Sequence, residues 1–302
     1  MSKGIYFVFS SLIFLFLQSC NQRLDANLYN SRKVDSYRWD AYEGEVDFRL
    51  NESYFIDPSH FLQIPLVSKS IAGEPDALIQ AIYLGDPQKI ASDTVILYCH
   101  GNKDHMDFYW QRAKLLAHVG GKHHYGVMMF DYRGFGMSEG SPTEDGLLAD
   151  ANAALEWLRT RGLTSDRLIV YGFSLGSAPA TRIAAGQGLM KPERLILEAP
   201  FASSQQMVRD ASLSEMPSSL FTDVKINNAE IIGQVNQPFC WLHGTDDDFL
   251  ALETHGRQVF SNYQGVYSEA HIIEGAGHST VPQIMGFENY CSILNKFIGR
   301  PQ

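Results

Sequence analysis

Ser174 lies in the segment Gly172-Phe173-Ser174-Leu175-Gly176, between an apolar run and a stretch compatible with a helix. A serine at a sharp turn between a buried strand and a helix is exposed above the sheet, and flanking glycines remove the Cβ clashes of such a turn. The backbone N–H of Leu175 would then lie at a helix N-terminus, where it can stabilise a developing oxyanion. The pattern predicts that Ser174 is a nucleophile, the alternative being an inert serine in a structural turn.

A serine hydroxyl is a weak nucleophile near neutral pH, so Ser174 needs a base, and the base needs an acid that orients it. His278 follows a glycine-containing segment, 274–277, which allows a loop that turns the imidazole back across a sheet. Asp246, Asp247 and Asp248 follow another apolar run and are alternative candidates for the acid. These residue types predict hydrolysis through an acyl-enzyme.

The elements that must position these residues follow a regular pattern. From about residue 77 the chain alternates short apolar runs with longer amphipathic segments, which predicts βαβ units and a largely parallel sheet. Strands are predicted at Ala77–Leu84, Thr94–His100, Gly126–Asp131, Leu168–Phe173, Leu195–Ala199, Pro238–His243 and Ala270–Glu274, with possible antiparallel edge strands near Glu45–Arg49 and Ile64–Ser68. Helices are predicted at Phe108–Val119, Glu144–Arg161, Leu175–Ala185, Leu252–Phe260 and Ile284–Phe297.

The chain order Ser, Asp, His is that of the α/β-hydrolases, and the sequence resembles that superfamily over roughly residues 60–300. The resemblance rests on motifs in the expected order, namely His100-Gly101-Asn102, Asp131-Tyr132-Arg133-Gly134-Phe135-Gly136-Met137-Ser138, the Ser174 segment, His243-Gly244-Thr245-Asp246-Asp247 and Gly277-His278. The sequence looks most like compact members such as esterases, lysophospholipases and serine aminopeptidases. The resemblance implies an α/β-hydrolase fold, with a mostly parallel central sheet flanked by helices and a small cap.

The resemblance also implies roles for particular residues. Its spacing selects Asp247 as the acid that orients His278, which would accept the proton of Ser174. The backbone N–H groups of Asn102 and Leu175 are expected to form the oxyanion hole.

Histidines outside the predicted triad are expected to have other roles. His100 and His243 are expected to be structural, whereas Asp104 and His105, just after the oxyanion turn, could contact substrate.

Composition and motifs argue against several other classes of protein. The formal net charge is −10 and no cluster of Lys and Arg is visible, so no nucleic-acid partner is expected. No phosphate-binding loop, dinucleotide fingerprint or cofactor-anchoring lysine motif appears, and no Cys/His spacing suggests a metal site. We therefore expect neither cofactor nor metal, and we expect Cys99 and Cys240, which lie in apolar runs, to be buried free thiols.

The first residues have the features of a targeting segment. Lys3 precedes an apolar stretch that is too short to span a bilayer comfortably, and Leu17-Gln18-Ser19-Cys20 resembles the cleavage and lipidation signal of a bacterial lipoprotein. This predicts a signal peptide at residues 1–19, lipid on Cys20, a tether with a wrapping segment at residues 20–44 and a catalytic domain at residues 45–302. The expected location is the bacterial cell envelope, with the lipid in the membrane. An uncleaved anchor, or secretion to the periplasm or medium, is the alternative.

These expectations combine into a serine hydrolase that cleaves short or medium acyl esters, or lipid-like esters. About forty residues separate Glu198 from Pro238, enough for only a small cap, in which Met207, Met216, Leu220 and Phe221 could line an acyl site or pack in the core. One alternative is a serine aminopeptidase of the same fold. The other is a binding protein whose catalytic machinery has lapsed.

Overall fold

The computed structural model describes residues 29–69, 75–212 and 224–301. The predicted signal peptide at residues 1–19, the predicted lipidation site Cys20, and Met216, Leu220 and Phe221 lie outside the described residues. Within the described ranges, no helix combines the length and apolar character needed to cross a membrane.

The centre of the structure is a sheet of eight strands, in the order β8-β7-β6-β5-β3-β4-β2-β1. The strands are β1 Phe61–Ser68, β2 Ala77–Leu84, β3 Val95–Cys99, β4 Gly126–Phe130, β5 Leu168–Phe173, β6 Arg194–Glu198, β7 Phe239–Gly244 and β8 Ser268–Ile273. Strand β2 pairs antiparallel with β1 and β4, and the remaining neighbours are parallel. The predicted mostly parallel sheet is confirmed.

The inner strands are covered on both faces, which is why they appear in the sequence as continuous apolar runs rather than alternating ones. Every residue of β3, β4, β5 and β6 is buried. The helices are α1 Met106–Leu116, α2 Glu144–Arg159, α3 Ser177–Arg182, α4 Ser204–Ser212, α5 Asn228–Ile231, α6 Gly256–Ser261, α7 Val281–Met285 and α8 Phe287–Ile298. One core cluster joins one sheet face to α2, α3 and α6, and a second joins the other face to α1 and α8.

Backbone conformation explains where the helices differ from their predicted bounds. The helix predicted at Ile284–Phe297 is two helices, because Gly286 adopts φ 84° between them. Helix α1 begins two residues earlier than predicted, since the His105 side chain accepts the N–H of Asp107 as an N-cap. Helix α6 begins only at Gly256, because His255 has a non-helical backbone.

The prediction of a strand at Glu45–Arg49 is wrong. These residues form no strand; Asp47 instead pairs with the buried Arg112, and Phe48 is buried in the core. The local pattern suggested an edge strand, whereas long-range side-chain contacts hold this segment. The other predicted edge segment, Ile64–Ser68, is part of β1.

The described part of the predicted tether wraps the domain. Asn30–Ser31 pairs in parallel with Lys103–Asp104, and the backbone N–H groups of Arg38 and Trp39 donate to the Asp107 carboxylate. The expected wrapping segment therefore lies within residues 29–44, and residues 20–28 are outside the described part of the chain.

The cysteines of the described chain, Cys99, Cys240 and Cys291, are buried and free. Burial raises the pKa of all three thiols, that of Cys291 to about 12. Buried free thiols at Cys99 and Cys240 are thus confirmed.

We predict that Gly176→Ala destabilises the protein. A Cβ at this position would lie 1.9 Å from the Cys99 carbonyl oxygen, so β3 and the turn after β5 would have to separate. We expect the free energy of unfolding, measured by urea denaturation, to fall by about 1–3 kcal/mol or more. Gly233→Ala is the control, because its nearest neighbour is an oxygen at 3.5 Å. An equal loss in both variants would contradict this explanation.

Candidate active site

Ser174 occupies a strained turn at the carboxyl end of β5. Its φ is 51°, in the left-handed region that side chains other than glycine rarely adopt, and a short 3-10 turn, Ser174–Gly176, leads into α3. A Cβ on Gly172 would lie 2.6 Å from the Gly176 carbonyl oxygen. The two glycines therefore allow the close backbone approach that the sequence pattern predicted.

The structure brings Ser174, His278 and Asp247 together. The His278 Nε2 lies 2.9 Å from the Ser174 Oγ, and its Nδ1 lies 2.8 Å from the Asp247 Oδ2. An ionised carboxylate only accepts hydrogen bonds, so Nδ1 carries the proton and Nε2 is free to accept the serine hydroxyl. This is the geometry required for an imidazole to act as a base toward Ser174.

Asp247 is held as a buried anion. Its Oδ1 accepts the N–H of Leu250 at 2.7 Å, and its Oδ2 lies 3.2 Å from the Nε2 of His243. Burial opposes ionisation, but the hydrogen bonds from His243 and His278 outweigh it and lower the pKa of Asp247. Asp246 and Asp248 are exposed, so the geometry favours Asp247 among the three candidates.

The histidines expected to be structural have buried polar partners. His243 is fully buried; Trp241 Nε1 donates to its Nδ1 at 3.3 Å, and its Nε2 contacts the Leu250 carbonyl at 2.9 Å. His100 is also fully buried, with its Nε2 3.1 Å from the Asp131 carboxylate. These contacts anchor the loops after β7 and β3.

A narrow cavity of about 30 Å³, partly open to solvent, adjoins Ser174. Its lining is mostly apolar, and among the described residues it consists of Tyr29, Asn102, Ser174, Leu175, Phe201, Ser204, Met207, Val224, Ile226, Phe249 and Leu250. Asn102 and Leu175, the predicted oxyanion-hole residues, thus border the same space as Ser174, and so does the predicted acyl-site residue Met207. Asp104 and His105 are not among its described lining residues, and His105 is buried.

Sequence reasoning missed two contributions to this site. Tyr29 lines the cavity, and the N–H of Asn30 donates to the Asn102 side chain at 3.0 Å, so the wrapping segment touches the predicted oxyanion turn. Phe249 is half exposed and lies edge-on to the His278 ring at 5.1 Å. The aromatic residues in these segments were visible in the sequence, but nothing local showed where they dock.

One group of potential metal ligands lies in the described chain, away from this cavity. Atoms of Cys240, Glu269 and His271 lie within 4.8 Å of one another. The Glu269 carboxylate already accepts the Tyr267 hydroxyl at 2.7 Å and contacts His271 at 3.1 Å. These contacts account for the cluster without an ion.

The amino-acid sequence is similar to those of several known proteins. A family model described as serine aminopeptidase, S33, matches residues 91–232. The alpha/beta hydrolase domain-containing protein 17B of Homo sapiens is 29% identical over 206 residues, which are 68% of this chain and 66% of that protein. The lysophosphatidylserine lipase ABHD12 of Danio rerio is 32% identical over 187 residues, covering 56% of this chain and 47% of that protein. The chain thus spans about two thirds or less of the length of these relatives.

Solved structures show the same architecture. The esterase Pf2001 of Pyrococcus furiosus superposes with a TM-score of 0.64 at 18% identity, covering 89% of this chain and 97% of that one. The esterase RhEst1 of Rhodococcus sp. gives a TM-score of 0.57 at 18% identity, over 78% of this chain and 98% of that one.

Asp247→Asn should lower stability in a pH-dependent way. The lowered pKa means that the carboxylate stabilises the folded state above its unfolded pKa of about 3.9, and that this contribution is lost as the pH falls toward the folded-state pKa. We expect the difference in unfolding free energy between wild type and variant to be large at pH 7 and to shrink below about pH 4 in urea titrations. The exposed controls Asp246→Asn and Asp248→Asn should stay within about 0.5 kcal/mol of wild type. A difference that grows below pH 4 would contradict the assignment.

Proposed function

We propose that the chain is a serine hydrolase of the α/β-hydrolase superfamily, which cleaves carboxylic esters through an acyl-enzyme on Ser174. One observation carries the proposal. The His278 ring bridges the Ser174 hydroxyl, at 2.9 Å, and the buried Asp247 carboxylate, at 2.8 Å.

The proposed reaction has two steps. His278 Nε2 takes the hydroxyl proton as Ser174 Oγ attacks the ester carbonyl, and the imidazolium then protonates the departing alcohol. In the second step His278 Nε2 takes a proton from water as the water oxygen attacks the acyl carbonyl; the bond to Ser174 Oγ then breaks, the imidazolium returns the proton to Oγ, and the carboxylic acid leaves. Asp247 holds the imidazole tautomer and stabilises its charged form throughout.

The oxyanion of each tetrahedral intermediate needs hydrogen-bond donors. The backbone N–H groups of Leu175, in the turn that starts α3, and of Asn102, after β3, are the proposed donors. Both residues border the cavity next to Ser174, which supports this assignment. The contact between the Asn30 N–H and the Asn102 side chain would keep the second donor in place.

The cavity favours an acyl group over a peptide N-terminus. A free α-ammonium group needs a carboxylate partner, and the described lining contains none, whereas Phe201, Met207, Ile226 and Leu250 offer apolar contact. We therefore propose a short or medium acyl chain, or a monoacyl lipid, as the bound group. A serine aminopeptidase is the second candidate, since the matching family model carries that description.

The test is reaction with a fluorophosphonate probe, read as intact-protein mass. We expect one adduct on wild type and none on Ser174→Ala. Ser204→Ala is the matched control, because Ser204 lines the same cavity but donates its hydroxyl to the Val224 carbonyl; it should be labelled like wild type. A folded wild-type protein that takes no label would favour the lapsed binding protein instead.

Substrate preference is tested with p-nitrophenyl esters from acetate to laurate beside aminoacyl p-nitroanilides. We expect ester turnover to exceed amide turnover, with a maximum of kcat/KM within the ester series that reports the depth of the cavity. Faster turnover of the aminoacyl amides would assign the chain to the peptidase alternative.

We further propose that the chain is exported and held at a membrane of the bacterial cell envelope by lipid on Cys20, on the strength of the Leu17-Gln18-Ser19-Cys20 signal. Expression in a bacterium with labelled palmitate should give a labelled membrane-bound protein, and Cys20→Ala should lose the label. Label retained in Cys20→Ala, or unlabelled wild type in the soluble fraction, would count against lipidation.

A further inference from the structure

A buried cation lies beneath the candidate active site, between two buried carboxylates. Arg112 of α1 is fully buried; its Nε donates to the Asp47 Oδ2 at 2.9 Å and its Nη1 to the Glu198 Oε1 at 2.5 Å. Glu198 is the last residue of β6, and Asp47 lies in the segment before the sheet. One buried guanidinium thus contacts two carboxylates whose side chains are also fully buried.

Hydrogen bonds extend the cluster to the strand that carries the nucleophile. The second oxygen of Glu198, Oε2, accepts the hydroxyl of Tyr290 at 2.8 Å and also that of Tyr171. Tyr171 belongs to β5, three residues before Ser174. The Oδ1 of Asp47 is buried and has no hydrogen-bond partner among the described residues, and burial raises the pKa of this carboxyl.

A cluster of buried charges contributes little net stability to a protein core. Desolvation of buried ion pairs often cancels their attraction, and apolar residues of similar volume can stabilise a fold as well or better. An excess carboxylate and an unsatisfied oxygen increase that cost. Stability alone therefore does not explain why these charged groups are buried together.

The guanidinium contacts the neighbours in sequence of both His278 and Ser174. Its Nη2 donates to the carbonyl of Ser279, the residue after His278, at 3.1 Å. Its carbon lies 4.2 Å from the ring centroid of Phe173, the residue before Ser174. The Phe173 ring in turn lies 5.3 Å from the His278 ring.

We infer that Arg112 is a positioning residue that fixes the loop of His278 against the strand end that carries Ser174. The planar fork of an arginine reaches two carboxylates and the Ser279 carbonyl at once, while its face packs on Phe173. A lysine ammonium keeps the charge but cannot make all of these contacts. The inference rests on the proposed function, because it concerns the alignment of the proposed base with the proposed nucleophile.

The variant that tests it is Arg112→Lys, with Arg194→Lys as the matched control. Arg194 is also buried, donates to the Ile298 carbonyl at 3.1 Å and lies over the Phe297 ring, but it starts β6 at the end opposite to Glu198. We expect Arg112→Lys to lower kcat, and the rate of fluorophosphonate labelling, by about 10- to 100-fold. KM should stay within about twofold, and Arg194→Lys should keep both rates even where its melting temperature falls equally.

A second readout does not depend on activity. The proton on His278 Nδ1, shared with Asp247, should give a far-downfield proton resonance in wild type that is lost in Asp247→Ala. In folded Arg112→Lys we expect this resonance to shift or broaden, because the loop moves away from Ser174. In Arg194→Lys it should be unchanged.

The outcomes separate the two proposals. Wild type that shows the resonance but neither labelling nor turnover would refute the proposed function. The positioning role would then be decided by whether the resonance changes in Arg112→Lys and not in Arg194→Lys. Folded Arg112→Lys with wild-type kcat, labelling rate and resonance would overturn the positioning role. If Arg112→Lys does not fold, Glu198→Gln, which keeps an oxygen acceptor for the Arg112 fork, should lower kcat about tenfold at constant KM, and an unchanged kcat there would overturn it.

Discussion

The left-handed backbone at Ser174 is the constraint on which the rest of this structure depends. A non-glycine residue at φ 51° is strained by an amount on the order of 1–3 kcal/mol and persists only where its surroundings enforce it. Here the enforcement comes from β3, whose Cys99 carbonyl packs against Gly176, and from β5, which enters the turn through Gly172. Any substitution that separates β3 from this turn moves the serine hydroxyl, so the geometry of the site depends on the packing of the sheet.

Charge in the site is controlled by hydrogen bonding rather than by exposure to water. Asp247 stays ionised while buried because two histidines and backbone N–H groups satisfy its oxygens. The Arg112 cluster, which binds the Ser279 carbonyl next to His278, is similarly buried and charged. Asp247 thus holds the imidazole itself and Arg112 holds the following residue, and both contacts limit how far the imidazole can move from Ser174. Preorganisation of this kind is what acyl transfer requires, since the polar groups need not reorient as charge develops.

Sequence reasoning was strongest where the information is local. The strand at Leu168–Phe173 and the turn at Ser174 depend on apolar runs and glycine spacing within a few residues, and both were predicted with accurate bounds. The strand at Glu45–Arg49 was predicted wrongly because distant contacts, such as Asp47 with Arg112, decide that segment. The contact of Asn30 with Asn102 and that of Glu198 with Arg112 arise from the same long-range folding. An arginine within an amphipathic helix carries no local sign that it will be fully buried.

In the proposed reaction Ser174 carries the acyl group between the acylation and deacylation steps. The most direct measurement is rapid acid quenching during turnover of a p-nitrophenyl ester, followed by intact mass and peptide fragmentation. We expect a burst of p-nitrophenol and one acyl group per chain, located on the peptide that contains Ser174. Turnover without any covalent acyl group, or with the group on a different residue, would contradict it.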